Sequence, residues 1–274
     1  MSSSPRGPSI KQSRDAKPDP ELVAGTTAHY EDPAYYERTY RARRDDVEFY
    51  LARVRDAAGA VLEYGCGNGR ITLPIARAGF EVFGVDLSEP MLADLRARLP
   101  AEDEATRRRV ELALGDMRSF QTKRRFPLAI CPFNAFLHLY TREDVEQFLA
   151  RVREHLAPGG AFVFDVSIPQ PSELARNPER LYRTRPFVYP GVGRVKYGER
   201  FDYEPLRQVL FVSMEFTPDD GEPFVTPLAH RQFYPLELEA LLHYNGFEIE
   251  ETVGDFIGPV THETVQLAIT ARPR

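Results

Sequence analysis

Val61-Leu62-Glu63-Tyr64-Gly65-Cys66-Gly67-Asn68-Gly69-Arg70 decides how this chain folds. An apolar, β-like run stops at a loop with glycine at every second position. A helix-like segment, Ile71 to Ala78, follows at once. A second apolar run, Val82-Phe83-Gly84-Val85, then ends on Asp86. Strand, glycine loop, helix, strand and terminal acid describe a nucleoside-binding βαβ unit. The glycines let the backbone turn tightly and approach a ligand with no Cβ in the way. An acid closing the second strand can accept hydrogen bonds from two neighbouring ribose hydroxyls.

The spacing separates two kinds of nucleoside. A dinucleotide loop wants G-x-G-x-x-G/A, and counting from Gly65 its third position falls on Arg70. The loop is G-x-G-x-G instead, with Glu63 two residues before the first glycine. A carboxylate there repels a pyrophosphate and favours a cationic ligand. S-adenosylmethionine (SAM) carries an ammonium beside a sulfonium, so the loop points to SAM rather than NAD.

Further motifs follow in order. They are V-D-L-S at Val85 to Ser88, G-D-M at Gly115 to Met117, and L-A-P-G-G at Leu156 to Gly160 before the apolar run Ala161 to Val166. Together with E-x-G-C-G-x-G-R at Glu63 to Arg70, this series resembles the class I SAM-dependent methyltransferases. Bacterial small-molecule enzymes acting on amines or hydroxyls of metabolites and natural products are the nearest in character. The resemblance is strong from Val61 to Val166 and looser to Arg274. It implies a doubly wound α/β sheet of seven strands, mostly parallel, with the last antiparallel.

The rest of the chain fits that frame. The first twenty residues are Ser/Pro/Lys/Arg-rich without an apolar stretch, so residues 1–26 read as a disordered tail. Residues 27–58 read as N-terminal lid helices, dense in tyrosine and including a helix from Asp45 to Ala57. Residues 59–168 form the cofactor-binding core, with a charged loop from Glu102 to Arg109. From 169 to 234 the helix–strand alternation gives way to apolar/polar alternation, with a turn at Asp219-Asp220-Gly221. This reads as an antiparallel β insertion after the fifth strand, lying over the carboxyl ends of the core strands, where open α/β sheets bind ligands. Residues 235–274 supply one more helix and the last two strands. A net charge of −6 argues against general nucleic-acid binding, and the basic runs at Arg107 to Arg109 and Lys123 to Arg125 read as solvated loops. Two cysteines make no disulfide framework, which points to a reducing, cytoplasmic setting; a monomer or homodimer is expected.

Candidate site residues follow from position. Gly65, Gly67 and Gly69 approach the methionine part of SAM, beside Glu63. Asp86 takes the ribose diol, with Leu87 and Met91 as apolar wall. Resemblance adds Asp116 for the adenine amino group and the Met117 backbone for a ring nitrogen. Cys131 and Phe133, closing the fourth strand, lie beneath the reacting methyl group, and Cys131 reads as a filler rather than a nucleophile. Tyr30, Tyr36 and Tyr40 cap the sulfonium, and Arg43 clamps the SAM carboxylate. His138 is the candidate base, with Tyr40 and Asn134 beside the acceptor.

The expected reaction is SN2 methyl transfer to nitrogen or oxygen of a small molecule, and no metal is required. A nucleic-acid methyltransferase is one alternative, but its Asp/Asn-Pro-Pro-aromatic element is replaced here by Cys131-Pro132-Phe133-Asn134. A SAM-binding protein without turnover is the other.

Overall fold

A computed structural model describes residues 19–274. The central sheet contains β1 (Val61–Tyr64), β2 (Val82–Asp86), β3 (Val110–Leu114), β4 (Phe126–Cys131) and β5 (Leu156–Ser167). The antiparallel insertion adds β6 (Tyr182–Arg183), β7 (Phe187–Tyr189), β8 (Gly193–Glu204), β9 (Val209–Pro218) and β10 (Phe224–Arg231), and β11 (Phe247–Gly254) and β12 (Gln266–Pro273) return to the central sheet. The helices are α1 (Pro20–Thr27), α2 (Pro33–Tyr40), α3 (Asp45–Ala57), α4 (Thr72–Arg77), α5 (Glu89–Arg98), α6 (Glu104–Arg108), α7 (Arg142–His155), α8 (Pro171–Leu174) and α9 (Pro235–Tyr244).

The seven-stranded sheet runs β11-β12-β5-β4-β1-β2-β3. Only β12 is antiparallel to its neighbours β5 and β11, as the resemblance implies. Side chains of a strand alternate between faces, and the core follows this except at the register shift between Phe126 and Leu128. Leu62, Ala129, Phe162 and Phe164 join one apolar cluster, with Phe148 of α7 and Leu238 of α9. Val61, Leu128, Ile130 and Val163 join the other, with Tyr50 and Val54 of α3 and Ile75 of α4. Both faces are therefore covered, which a mostly parallel sheet requires.

Local signals explain the boundaries. Ser88 caps α5 by accepting from Met91 N, with a proline at the first turn. Thr141 and Asp144 close a reciprocal capping box on α7. Two expectations need correction. Order does not wait for Thr27: Asp19 caps a helix that starts at Pro20, while residues 1–18 lie outside the described part. The charged loop from Glu102 to Arg109 contains α6, capped by Asp103. The basic runs are neutralised locally, Arg108 by Glu104 and Arg124 by Glu111 and Glu81.

The strand order reverses direction between β1 and β4, so a crevice opens at the carboxyl ends of those two strands. The five insertion strands form a second sheet, β10-β9-β8-β6 with β7 beside β8. Helix α1 ties this sheet to the N-terminal segment. A Cβ on Gly25 would stand 2.5 Å from Ala229 Cβ on β10, so only glycine lets the two backbones lie this close.

One buried acid organises the end of β4. Phe133 and Asn134 both have left-handed backbones, with φ of 59° and 62°, a conformation that side chains other than glycine rarely adopt. Asp165 of β5 pays for it. Its Oδ1 accepts from Phe133 N at 2.6 Å and from Tyr50 Oη at 2.6 Å, and its Oδ2 from Asn134 N at 3.2 Å and Gln266 Nε2 at 2.8 Å. Leucine at this position would orphan two buried backbone donors at about 1–3 kcal/mol each. We predict that Asp165→Leu lowers unfolding stability in urea by about 3 kcal/mol or more and that Asp165→Asn costs less. A loss below about 1 kcal/mol for the leucine variant would contradict this role.

Candidate functional site

The glycine loop is built as its sequence demands. Gly65, Gly67 and Gly69 have φ of 71°, 53° and 86°. Gly65 N and Cys66 N both donate to the Val85 carbonyl, at 2.8 and 3.2 Å. Gly67 N donates to Asp86 Oδ2 and Ser88 N to Asp86 Oδ1, each at 2.7 Å. Asp86 therefore holds the loop of β1 and the N-terminus of α5 together. Two of its lone pairs are used, and a carboxylate has about four, so ligand hydroxyls can still be received. Burial raises its pKa even though these N–H bonds oppose the shift.

A small cavity of about 20 Å³ lies at the reversal point, lined by Glu63, Gly65, Gly67, Asn68, Arg70, Tyr36 and Phe133, among others. That is room for about one water. Two polar atoms on its lining residues, Asn68 Oδ1 and Arg70 Nε, are buried without a protein partner. Orphaned buried groups of this kind are costly, and they suit a polar ligand entering the crevice. Glu63 is 1% exposed and accepts from Thr72 Oγ1 at 2.7 Å. Burial pushes its carboxyl up to about 8. In this state Glu63 holds its proton near neutrality, so the repulsion of pyrophosphate argued from sequence requires a cation to draw the charge out.

Above the crevice lies an aromatic layer. Tyr36 is 7% exposed, and its ring centroid is 4.8 Å from Tyr40, which stands 4.9 Å from Phe133. Arg70 lies over the Phe133 ring at 4.3 Å and makes a two-pronged bond to Asp46, Nη1 to Oδ1 at 2.9 Å and Nη2 to Oδ2 at 2.5 Å. Tyr30 reaches from the same segment, with its carbonyl accepting from Ser88 Oγ at 3.1 Å and its hydroxyl 2.8 Å from His138 Nε2.

His138 is engaged at both ring nitrogens. Its Nδ1 lies 3.2 Å from Tyr140 Oη, which itself donates to the Ala229 carbonyl at 3.0 Å. Thr26 Oγ1 also lies 2.8 Å from Tyr140 Oη, and the other ring nitrogen, Nε2, faces the Tyr30 hydroxyl. Burial first, then the neighbouring His230 and His29, hold the imidazole pKa well below its usual value.

A family model described as a methyltransferase domain matches residues 61–160. An uncharacterised methyltransferase of Geobacillus kaustophilus is 32% identical over 153 residues, 56% of this chain and 67% of the relative. The chain belongs to the class I SAM-dependent methyltransferases. A Streptomyces venezuelae dTDP-3-amino-3,4,6-trideoxy-α-D-glucopyranose N,N-dimethyltransferase is 31% identical over 128 residues, 47% of this chain and 51% of that one. The match thus spans about half the length of that relative. The CcbJ methyltransferase of Streptomyces caelestis shares the fold, with a TM-score of 0.74 at 24% identity over 90% of this chain and 98% of that one.

Within this methyltransferase, the expected residues divide into groups. Glu63, Gly65, Gly67, Tyr36 and Phe133 meet at one cavity, Gly69 turns the same loop without lining it, and Asp86 grips that loop. Leu87 is exposed beside them, whereas Met91 is buried at 1% and serves the packing of α5. Asp116 follows β3, where Gly115 N donates to the Asp86 carbonyl at 2.9 Å. Its carboxylate is held by Arg118, with Nη2 at 2.6 Å, and Arg118 also reaches Asp144. Met117 packs against the core. Cys131 is buried, with its thiol pushed well up by burial, so it is a filler.

Two positions differ from expectation. Arg43 is exposed and lies over Phe133 at 5.1 Å, while Arg70 is the arginine that lines the cavity. Asn134 turns its Oδ1 to Ser167 N at 2.7 Å and Gln266 Nε2 at 3.0 Å, bracing the sheet instead of joining His138. Asp165 and Tyr50 went unread because their partners are remote in sequence. The one available signal was an aspartate inside the apolar run Phe162 to Val166.

The Glu63 shift predicts a pH dependence. The unfolded carboxyl ionises near its ordinary value of 4.5 and the folded one near 8, so the folded state binds the extra proton between them. Stability then falls as pH rises through that window, by up to ~1.4 kcal/mol per pH unit. Glu63→Gln should remove this component in chemical unfolding measured across the window. An unchanged slope would show that Glu63 is already ionised in the fold.

Proposed function

We propose that this protein transfers a methyl group from SAM to a nitrogen or oxygen of a small molecule, with an amine nitrogen the favoured acceptor. The observation that carries this is the glycine loop pinned on Asp86 with Glu63 beneath it. When bound, SAM supplies a sulfonium-activated methyl group. Asp86 would receive the ribose hydroxyls, and the backbone after β3 would face the adenine. Glu63 would meet the ammonium, giving up its proton as the cation arrives, and Arg70 would meet the carboxylate through its unpartnered Nε–H. The cavity is too small for a nucleoside as it stands, so Tyr36 and α2 move aside on entry.

The remaining work is positioning and exclusion of water, which can supply roughly 7–11 kcal/mol of the barrier. Residues 27–58 and the insertion 169–234 would close over the acceptor. His138 would accept at Nε2 from an acceptor N–H or O–H, in the place of the Tyr30 hydroxyl. Its depressed pKa makes it an orienting hydrogen-bond acceptor more than a strong base. A neutral amine needs no stronger base, because its own lone pair attacks. The similarity to an amino-sugar N,N-dimethyltransferase supports the amine reading. The two buried free cysteines suit a reducing, cytoplasmic setting, and no helix among the described residues is long and apolar enough to cross a membrane. No cluster of three or more metal-ligating side chains occurs among those residues either.

Calorimetry with S-adenosylhomocysteine and with NADH tests the cofactor, and labelled SAM with a panel of amines and alcohols tests turnover. We expect S-adenosylhomocysteine to bind and NADH not to, and the reverse would overturn the proposal. Binding without methyl consumption on any acceptor would favour a non-catalytic SAM-binding protein. His138→Ala should lower kcat about tenfold or more with the KM for SAM within about twofold. An unchanged kcat would remove His138 from the acceptor site.

A further inference from the structure

The inner face of the insertion sheet carries one carboxylate. Along β8, Val195, Tyr197, Glu199 and Phe201 point to the same side, because alternate residues share a face. Tyr197 pairs with Phe216 and Glu199 with Met214 across β9. This side belongs to an apolar cluster that includes Tyr35 of α2, Val195, Met214 and Phe216. Tyr35 stacks on Tyr189 at 4.7 Å and 3° between planes, so α2 lies directly against the sheet.

A carboxylate among aromatic rings is costly unless something compensates it. Tyr197 Oη donates to Glu199 Oε1 at 2.5 Å. Among the described residues no lysine or arginine forms a salt bridge with Glu199; Arg200 pairs with Glu215, and Arg176 lies over the rings of Phe201 at 4.1 Å and Tyr182 at 5.0 Å. Helix α2, whose Tyr35 packs on this sheet face, also carries Tyr36 of the cavity and Tyr40. After burial, the charge of Glu199 is among the causes that raise the Tyr35 and Tyr40 hydroxyls. Tyr40 in turn stands against Phe133 at the end of β4.

The geometry points to a cation subsite in which Glu199, braced by Tyr197 on the sheet face that packs against Tyr35, receives a positively charged nitrogen of the methyl acceptor, distinct from the neutral nitrogen or oxygen that attacks. The inference rests on the methyltransferase reading and narrows it to acceptors carrying a cationic nitrogen. A carboxylate supplies the charge, and aromatic faces supply cation–π attraction without full hydration. The same half-buried position discriminates against anionic acceptors.

The test uses the full chain saturated with S-adenosylhomocysteine and two probes of equal shape, choline and its uncharged analogue 3,3-dimethylbutan-1-ol. By calorimetry, choline should bind at least tenfold more tightly than the neutral analogue. Glu199→Gln preserves size and an oxygen acceptor for Tyr197. It should weaken choline at least tenfold while leaving the neutral analogue and S-adenosylhomocysteine unchanged. Equal affinity of the two probes for the unmodified protein, no choline binding at all, or undiminished choline binding by Glu199→Gln would each overturn the subsite. The probe comparison in the unmodified protein needs no variant, so a folding defect in Glu199→Gln does not blunt it. Failure of S-adenosylhomocysteine to bind would instead strike the cofactor reading beneath it.

Discussion

The two hydrogen bonds from Gly67 N and Ser88 N to the Asp86 carboxylate hold the cofactor end of this molecule in shape. A loop with three left-handed glycines is floppy by composition, because glycine has the most conformational freedom to lose. Here it is tied down at both ends by β2: Val85 takes the first two N–H groups of the turn and Asp86 takes the next. The same carboxylate orients the start of α5. One side chain thus converts flexible sequence into a fixed cradle and keeps lone pairs for a ligand.

A second knot fixes the opposite wall. Asp165 gathers Tyr50, Gln266 and the backbone of Phe133 and Asn134, so the crevice is bounded by β4 and β5 as firmly as by β1 and β2. The two walls differ in charge. The cofactor side concentrates Glu63, Asp86, Asp46 and Arg70. The acceptor side is neutral aromatic and imidazole surface, with Glu199 its one inward-facing acid along β8. That contrast suits a cationic donor on one side and, on the other, an acceptor whose attacking atom is neutral and whose separate cationic nitrogen meets Glu199. It also makes water exclusion the main task of the N-terminal segment and the insertion.

Legibility followed the range of the interactions. Short-range features could be read directly. The limits of α3, the glycine loop and Asp86 at the end of β2 all depend on neighbours within a few residues. Remote partners could not. Tyr50 and Asp165 are 115 positions apart, and Arg70 and Asp46 are 24 apart. Arg70 was read only as the residue that breaks a dinucleotide motif, although it lines the cavity. Asn134 looked like an acceptor-side amide because its left-handed backbone, which swings the side chain toward Ser167, depends on Asp165. Glu63 was legible in place but not in protonation, since burial is a property of the assembled fold.

The most direct test of the account is the affinity of S-adenosylhomocysteine for the unmodified protein and for Asp86→Ala, set beside that of an analogue lacking both ribose hydroxyls. If Asp86 both shapes the loop and receives the diol, the variant should bind S-adenosylhomocysteine roughly ten- to a hundredfold more weakly, as expected for loss of charge-assisted hydrogen bonds worth about 1.5–3 kcal/mol. The analogue should lose much less on the same substitution. Equal affinity of the two proteins for S-adenosylhomocysteine would contradict the account at its root.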